Sequence, residues 1–159
     1  MTSEKKNSVF ELIKKTCKEK VLPVTKLNKN TSGLVLFTND EKLSSKLSNP
    51  KNKFKKIFHI SLNKALKSID LKKIKDGLII DGEKIIVDSI SYVLGKEKTE
   101  IGLEIKSNIR NITYKIFNEL NYKIIKLDLV FYAGLTKKDI PRKKTRFLSK
   151  NEINILKRI

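Results

Sequence analysis

Few side chains in this sequence are equipped for covalent chemistry, and they are scattered. The chain has one histidine, His59, and one cysteine, Cys17. One of each cannot make an ordinary zinc site, which draws three or four protein ligands from such residues. No glycine-rich loop follows a strand to cradle a phosphate. A serine–histidine–aspartate arrangement would have to use His59, which sits mid-strand beside no obvious partner and reads as a partly exposed strand residue. Cys17 reads as a small buried apolar residue, not a nucleophile. One segment stands out: Thr25-Lys26-Leu27-Asn28-Lys29-Asn30-Thr31-Ser32-Gly33-Leu34-Val35-Leu36-Phe37-Thr38-Asn39-Asp40. A polar loop runs there into an apolar strand and leaves it through an Asn-Asp turn. A rigid strand behind a loop is a good mount for a reactive group. The residue types alone name no reaction.

The elements that must hold this segment follow from periodicity. Ser8 and Glu11 have capping-box spacing, and Phe10, Ile13 and Cys17 share one face of a helix ending near Lys20, with Pro23 to stop it. Gly33 to Thr38 is a continuous apolar run of strand length. Glu41 to Leu47 suits a short helix with Leu43 and Leu47 on one side. Lys56 to Leu62 alternates, Phe58, Ile60 and Leu62 against Ile57, His59 and Ser61, as a half-buried strand does. Asp70 to Lys75 fits a short helix closed by Gly77. Asp81-Gly82 predicts a tight hairpin between Leu78-Ile79-Ile80 and Ile85-Ile86-Val87. Glu100 to Lys106 alternates, with Ile101, Leu103 and Ile105 on one face. Ile112, Ile116, Phe117 and Leu120 recur at helical spacing. Ile125, Leu127, Leu129 and Phe131 recur with period two. Ser149 and Glu152 form a second capping box before Ile153 and Leu156, after a charge-rich loop from Lys137 to Arg146. The order predicts an α+β fold with a mixed, largely antiparallel sheet flanked by short helices. No repeat or linker divides it, so residues 1–159 are expected to form a single domain.

Charge narrows the partner. Lys and Arg number 36 against 17 Asp and Glu, a net charge of +19. Such a surface repels itself and is satisfied by a polyanion, whose condensed counterions are released on binding. A genome rich in A and T would also enrich Lys, Asn and Ile, so charge alone does not decide. No apolar run is long enough to span a membrane, and Met1 to Asn7 lack the apolar core of a signal peptide. With no internal disulfide available, a reducing, cytoplasmic setting is expected.

The segment around Thr31 resembles the signature of bacterial ribosomal-RNA pseudouridine synthases of the RsuA type. That signature is Gly-Arg-Leu-Asp, two variable positions, Thr-Ser-Gly-Leu and then Thr-Asn-Asp. Thr31, Ser32, Gly33, Leu34, Thr38, Asn39 and Asp40 match outright. Leu47-Ser48-Asn49-Pro50 stands where the family has Leu-x-His-Pro, and Lys56-Ile57-Phe58-His59-Ile60 where it has Lys-x-Tyr-x-Val. Lys75 to Gly82 resembles the Gly-Val-x-Leu-Asp-Gly hairpin. Arg146 to Ile153 resembles the closing Arg-x-Leu-Thr-x-x-Glu-Ile. The order holds from about Val9 to Leu156. The resemblance implies the pseudouridine synthase catalytic fold, uridine isomerisation in structured RNA, ribosomal RNA above all, and no cofactor or metal. It implies an aspartate nucleophile beside a uridine drawn out of its stack.

The sequence departs from this pattern at the chemistry. The nucleophile position is Asn28, a neutral amide. Lys26 replaces the preceding arginine, keeping charge and losing the planar fork. Phe58 replaces the tyrosine that packs on the base. Anchored on Ile116-Phe117, the arginine that pairs with the carboxylate falls on Tyr114, with Lys115 beside it; Arg110 is near but does not align without a slip. The opening Asn-Lys-Pro-x-Gly strand, and the small RNA-binding domain that often precedes it, are not expected within residues 1–159. Asp40 and Asp128 are the carboxylates that could substitute for the nucleophile. Two expectations stand together: a synthase acting on ribosomal RNA, or a relative that binds RNA without turnover, for example in ribosome assembly. Either is expected to be monomeric, off the membrane, and to touch RNA through Lys26, Lys29, Thr31, Lys55, Lys56, Arg142, Lys143, Lys144 and Arg146.

Overall fold

The structure is a computed structural model and describes residues 9–24, 30–49, 51–107, 109, 111–138 and 140–159. In chain order its elements are α1 (Val9–Thr16), β1 (Leu22–Pro23), β2 (Thr31–Gly33), β3 (Phe37–Thr38), α2 (Glu41–Ser48), β4 (Lys56–Leu62), α3 (Ser68–Asp76), β5 (Leu78–Ile80), β6 (Glu83–Ile85), β7 (Ser89–Tyr92), β8 (Glu100–Ile105), α4 (Ile112–Glu119), β9 (Ile124–Tyr132), β10 (Leu135–Thr136) and α5 (Lys150–Arg158). The central sheet runs β10-β9-β4-β8-β7 with antiparallel neighbours, and β2 adds to β9 in parallel. The expected mixed, largely antiparallel sheet is thus formed.

Strict alternation became strand where it was unbroken. Ile101, Leu103 and Ile105 of β8 are buried, as are Ile60 and Leu62 of β4. They meet α3, α4 and the β5–β6 hairpin in one apolar cluster, around the fully buried Phe117. A second cluster gathers Leu43 and Leu47 of α2, Leu156 of α5, and Leu129, Tyr132 and Leu135. Asp81 and Gly82 turn the hairpin with φ of 52° and 80°, the mirror-image turn that suits strand twist. The helix over Asp70–Lys75 extends to Asp76 and ends on Gly77 at φ 101°.

Three expectations are corrected. The apolar run Gly33–Thr38 is not one strand. Gly33 takes φ 116°, and a Cβ there would lie 2.2 Å from the Leu129 carbonyl oxygen. The chain therefore leaves the sheet, with Leu34 N donating to Leu129 O at 3.0 Å, and Phe37–Thr38 pairs instead with Leu22–Pro23. Next, β9 is not a simple period-two strand. Its register with β4 skips Val130 between Ile57–Phe131 and Phe58–Leu129, and Ile125 between Ser61–Lys126 and Leu62–Ile124. Each bulge reverses which face the next residue takes. Ile124, Leu127, Leu129 and Tyr132 face the cores, while Ile125 is 61% exposed. Finally, α1 stops at Thr16, four residues before Lys20. Its apolar face meets the narrow β3, through a Phe10–Phe37 edge contact at 5.9 Å, and buries none of its residues. Cys17 is half-buried, not buried. Ser8 lies outside the described residues, so its cap does too.

Candidate functional site

The site begins on β4. Alternation puts Lys56, Phe58 and Ile60 on one face, and antiparallel pairing sets Phe58 between Leu103 and Leu129. Phe58 is half-buried and packs against both apolar clusters. It sits at the seam where they meet, an aromatic side chain left partly open to solvent. Lys56 lies two residues before it, between Ile105 and Tyr132 in register. Its ammonium donates to the Ser107 carbonyl at 3.3 Å, and burial holds its pKa below the ordinary lysine value. Tyr132, edge-on to Phe54 at 6.4 Å, has its phenol pushed up by burial. A half-buried ring beside a partly desolvated cation can stack a planar base and meet its phosphate.

Of the other expected residues, Thr31 opens β2 opposite Leu127. Tyr114 lies in the first turns of α4 against the larger cluster. Lys115 is committed to the hairpin through an ion pair with Asp81 at 2.9 Å. Lys55 pairs with Glu104 at 2.7 Å and lies over the Phe131 ring, on the face away from Phe58. Lys55 and Lys56, adjacent in sequence, therefore do not serve one surface. Asn28, Lys26 and Lys29, and also Arg110, lie outside the described residues.

The two carboxylates expected as substitutes are both engaged. Asp40 caps α2, accepting from Leu43 N at 3.0 Å. Asp128 accepts from Ser32 Oγ at 3.1 Å and from the ammonium of Lys137. In register Asp128 stands opposite His59, and neighbouring strand residues alternate, so it lies on the sheet face opposite Phe58. His59 does have a partner, contrary to the reading from sequence. Its Nε2 lies 2.9 Å from Glu100 Oε2, which also accepts from Ser61 Oγ at 2.6 Å. The Ser61 hydrogen bond first, then His59, hold the Glu100 carboxyl below its ordinary range. Serine and histidine both address the carboxylate and not each other, so this is no nucleophilic triad. Sequence reasoning missed Glu100 and Lys137 because strand pairing brings them in from far along the chain or around a turn. Period-two alternation of β8 was the signal available for Glu100.

Arg142, Lys143, Lys144 and Arg146 are brought together, but not at Phe58. They border a separate half-open cleft of about 460 Å³ between α1, the Ser32–Phe37 strip and the 140–148 loop. Arg146 is clamped by Glu152, with guanidinium–carboxylate distances of 2.9 and 2.7 Å. Among the described residues no group of three His, Cys, Asp or Glu side chains could hold a metal, and no helix is long and apolar enough to cross a membrane.

A family model described as RNA pseudouridylate synthase matches residues 1–152. An uncharacterized RNA pseudouridine synthase of Aquifex aeolicus is 24% identical over 149 residues, covering 93% of this chain and 59% of the relative. Ribosomal large subunit pseudouridine synthase B of Bacillus subtilis is 25% identical, covering 90% and 60%. The protein of the same name from Buchnera aphidicola is 26% identical, covering 95% and 62%. The chain thus spans about three fifths of the length of these relatives. A crystal structure of a pseudouridylate synthase superposes with a TM-score of 0.79 at 20% identity, over 94% of this chain and 65% of that one, and shares its fold.

Proposed function

The chain belongs to the RNA pseudouridylate synthase family, and from that premise we propose that it holds structured RNA, ribosomal RNA foremost, with a uridine laid on Phe58. The observation that carries this reading is that Phe58, half-buried where two cores meet, shares a strand face with the half-buried ammonium of Lys56. The ring supplies a sequence-tolerant stacking surface, worth about 1–3 kcal/mol per base. Lys56 meets the backbone. Lys26, Lys29 and Thr31 add contacts ahead of and at the start of β2, and Tyr114 adds one from α4, while Lys115 stays with Asp81. The names of two relatives support ribosomal RNA as the target. We place the protein in the cytoplasm, as a single-domain monomer that needs no cofactor.

Turnover is a second reading, favoured by a family match that runs over nearly the whole chain. Isomerisation needs an ionised carboxylate at the uridine. Asn28 carries no charge, Asp40 is spent on a helix cap, and Asp128 lies across the sheet. Binding without isomerisation is therefore the reading we adopt. Fluorescence anisotropy with an unmodified ribosomal stem-loop tests the binding. Phe58→Ala is expected to weaken affinity about tenfold, the loss of one stacked base, while Phe58→Tyr retains it. Equal affinity of the folded alanine variant and the parent would remove Phe58 from the site.

A further inference from the structure

The cleft beside α1 does not contain Phe58, Lys56 or Tyr114. Its floor is apolar, built from Leu34, Leu36, Tyr132 and Leu135, and Cys17 stands in its wall. Its volume, about 460 Å³, lies within the range of small-ligand sites. Two features say what kind of ligand it fits. The first is the rim. Arg142, Lys143 and Lys144 are exposed and have no acidic partner among the described residues, whereas Lys137 and Arg146 are neutralised by Asp128 and Glu152. Three unspent cations on one edge of an apolar hollow complement a group with a flat apolar body and an anionic tail. The second is the strip Leu34–Leu36, which Gly33 turns out of the sheet. Val35 lines the cleft, and among the described residues its backbone N–H and C=O bond to no other group. A base edge presents the complementary pair.

We propose that this cleft is a second nucleotide pocket, taking one unstacked nucleotide of the RNA whose uridine rests on Phe58. The base enters between α1 and the Leu34–Leu36 strip, and its phosphates lie against Arg142, Lys143 and Lys144. The inference rests on the RNA-binding reading above and extends it to a separate site. It gives the protein a way to favour RNA with an unpaired nucleotide near the target over continuous duplex, because a stacked base cannot enter.

Cys17 is the sole cysteine of the chain, so it reports on the cleft directly. The experiment follows its reaction with Ellman's reagent while anisotropy reports occupancy. The probes are a ribosomal stem-loop with an unpaired nucleotide and a fully paired RNA duplex of equal length. At saturation the stem-loop is expected to slow the reaction about fivefold or more, and the duplex to leave it near the free rate. Conversely, chain alkylated at Cys17 with N-ethylmaleimide should bind the stem-loop about tenfold more weakly. Saturating stem-loop with Cys17 still reacting at the free rate would overturn the pocket and leave RNA binding standing. No stem-loop binding at all would remove the RNA reading and the pocket with it. Equal protection by duplex would refute entry of an unstacked base. Protection by a valine–threonine hexapeptide and not by RNA would assign the cleft to an added strand and overturn the proposal.

Discussion

Asparagine and aspartate are nearly the same size, and if position 28 holds the place of the nucleophile, as the resemblance implies, the difference is the negative charge the chemistry needs. A carboxylate and its cationic partner stabilise each other when partly buried, so the loss of one leaves the other costly. On the motif alignment we propose, both members are replaced: Asn28 at one position, Tyr114 at the other. Asn28→Asp alone is expected to give little pseudouridine, and Asn28→Asp with Tyr114→Arg measurably more, read by chemical mapping of ribosomal RNA. A second residue-scale prediction concerns Gly33. Its φ of 116° and a Leu129 oxygen 2.2 Å from any Cβ leave no room for a side chain. Gly33→Ala should lower stability by about 3 kcal/mol or more, visible as a large fall in Tm. At this scale the sequence offered candidate positions through motif resemblance, Phe58 above all. It concealed the pairings, because Asp128 with Ser32 and Glu100 with His59 are juxtaposed only by strand register.

Elements whose pattern was uninterrupted were legible, and those with a local exception were not. β4 and β8 matched their alternation because nothing disturbs it. Two bulges in β9 put Ile125 in solvent, and no residue type in Ile124–Tyr132 announces them. The run Gly33–Thr38 looked like a core strand because it is apolar, yet backbone geometry at Gly33 overrode propensity. The second capping box was fully readable: Ser149 Oγ accepts from Glu152 N, and Glu152 accepts from Ser149 N at 2.7 Å. Arg146 first, then that backbone N–H, holds the Glu152 carboxyl down at about 2, from an ordinary 4.5. A depressed pKa means the contribution is present in full above about 4.5 and fades as pH falls toward about 2. The site is close to solvent, so Glu152→Gln should cost only about 1 kcal/mol at neutral pH. Thermal melts should show the gap between variant and parent closing as pH falls from about 4.5 to about 2.

For the whole molecule, the fold class was plain from the order of elements, while charge joined to resemblance pointed to RNA as the partner we propose. What sequence could not supply was the division of the interior into two cores with Phe58 at their seam, since contacts between distant elements define it. The net charge of +19 implies binding dominated by phosphate contacts. Stem-loop affinity should fall about a thousandfold between about 50 and about 200 mM salt. Reversing Arg142, Lys143 and Lys144 to glutamate should flatten the log–log slope by about 3 units. A flat response in the parent would dismiss electrostatics as the source of affinity. The central claim is that this chain retains the RNA grip of its family without the isomerisation. Its most direct test is quantitative mapping of pseudouridine in unmodified ribosomal RNA saturated with the purified chain. The account predicts bound RNA with no new pseudouridine at any position. A modified site that appears with the parent chain and vanishes with Asn28→Ala would contradict it.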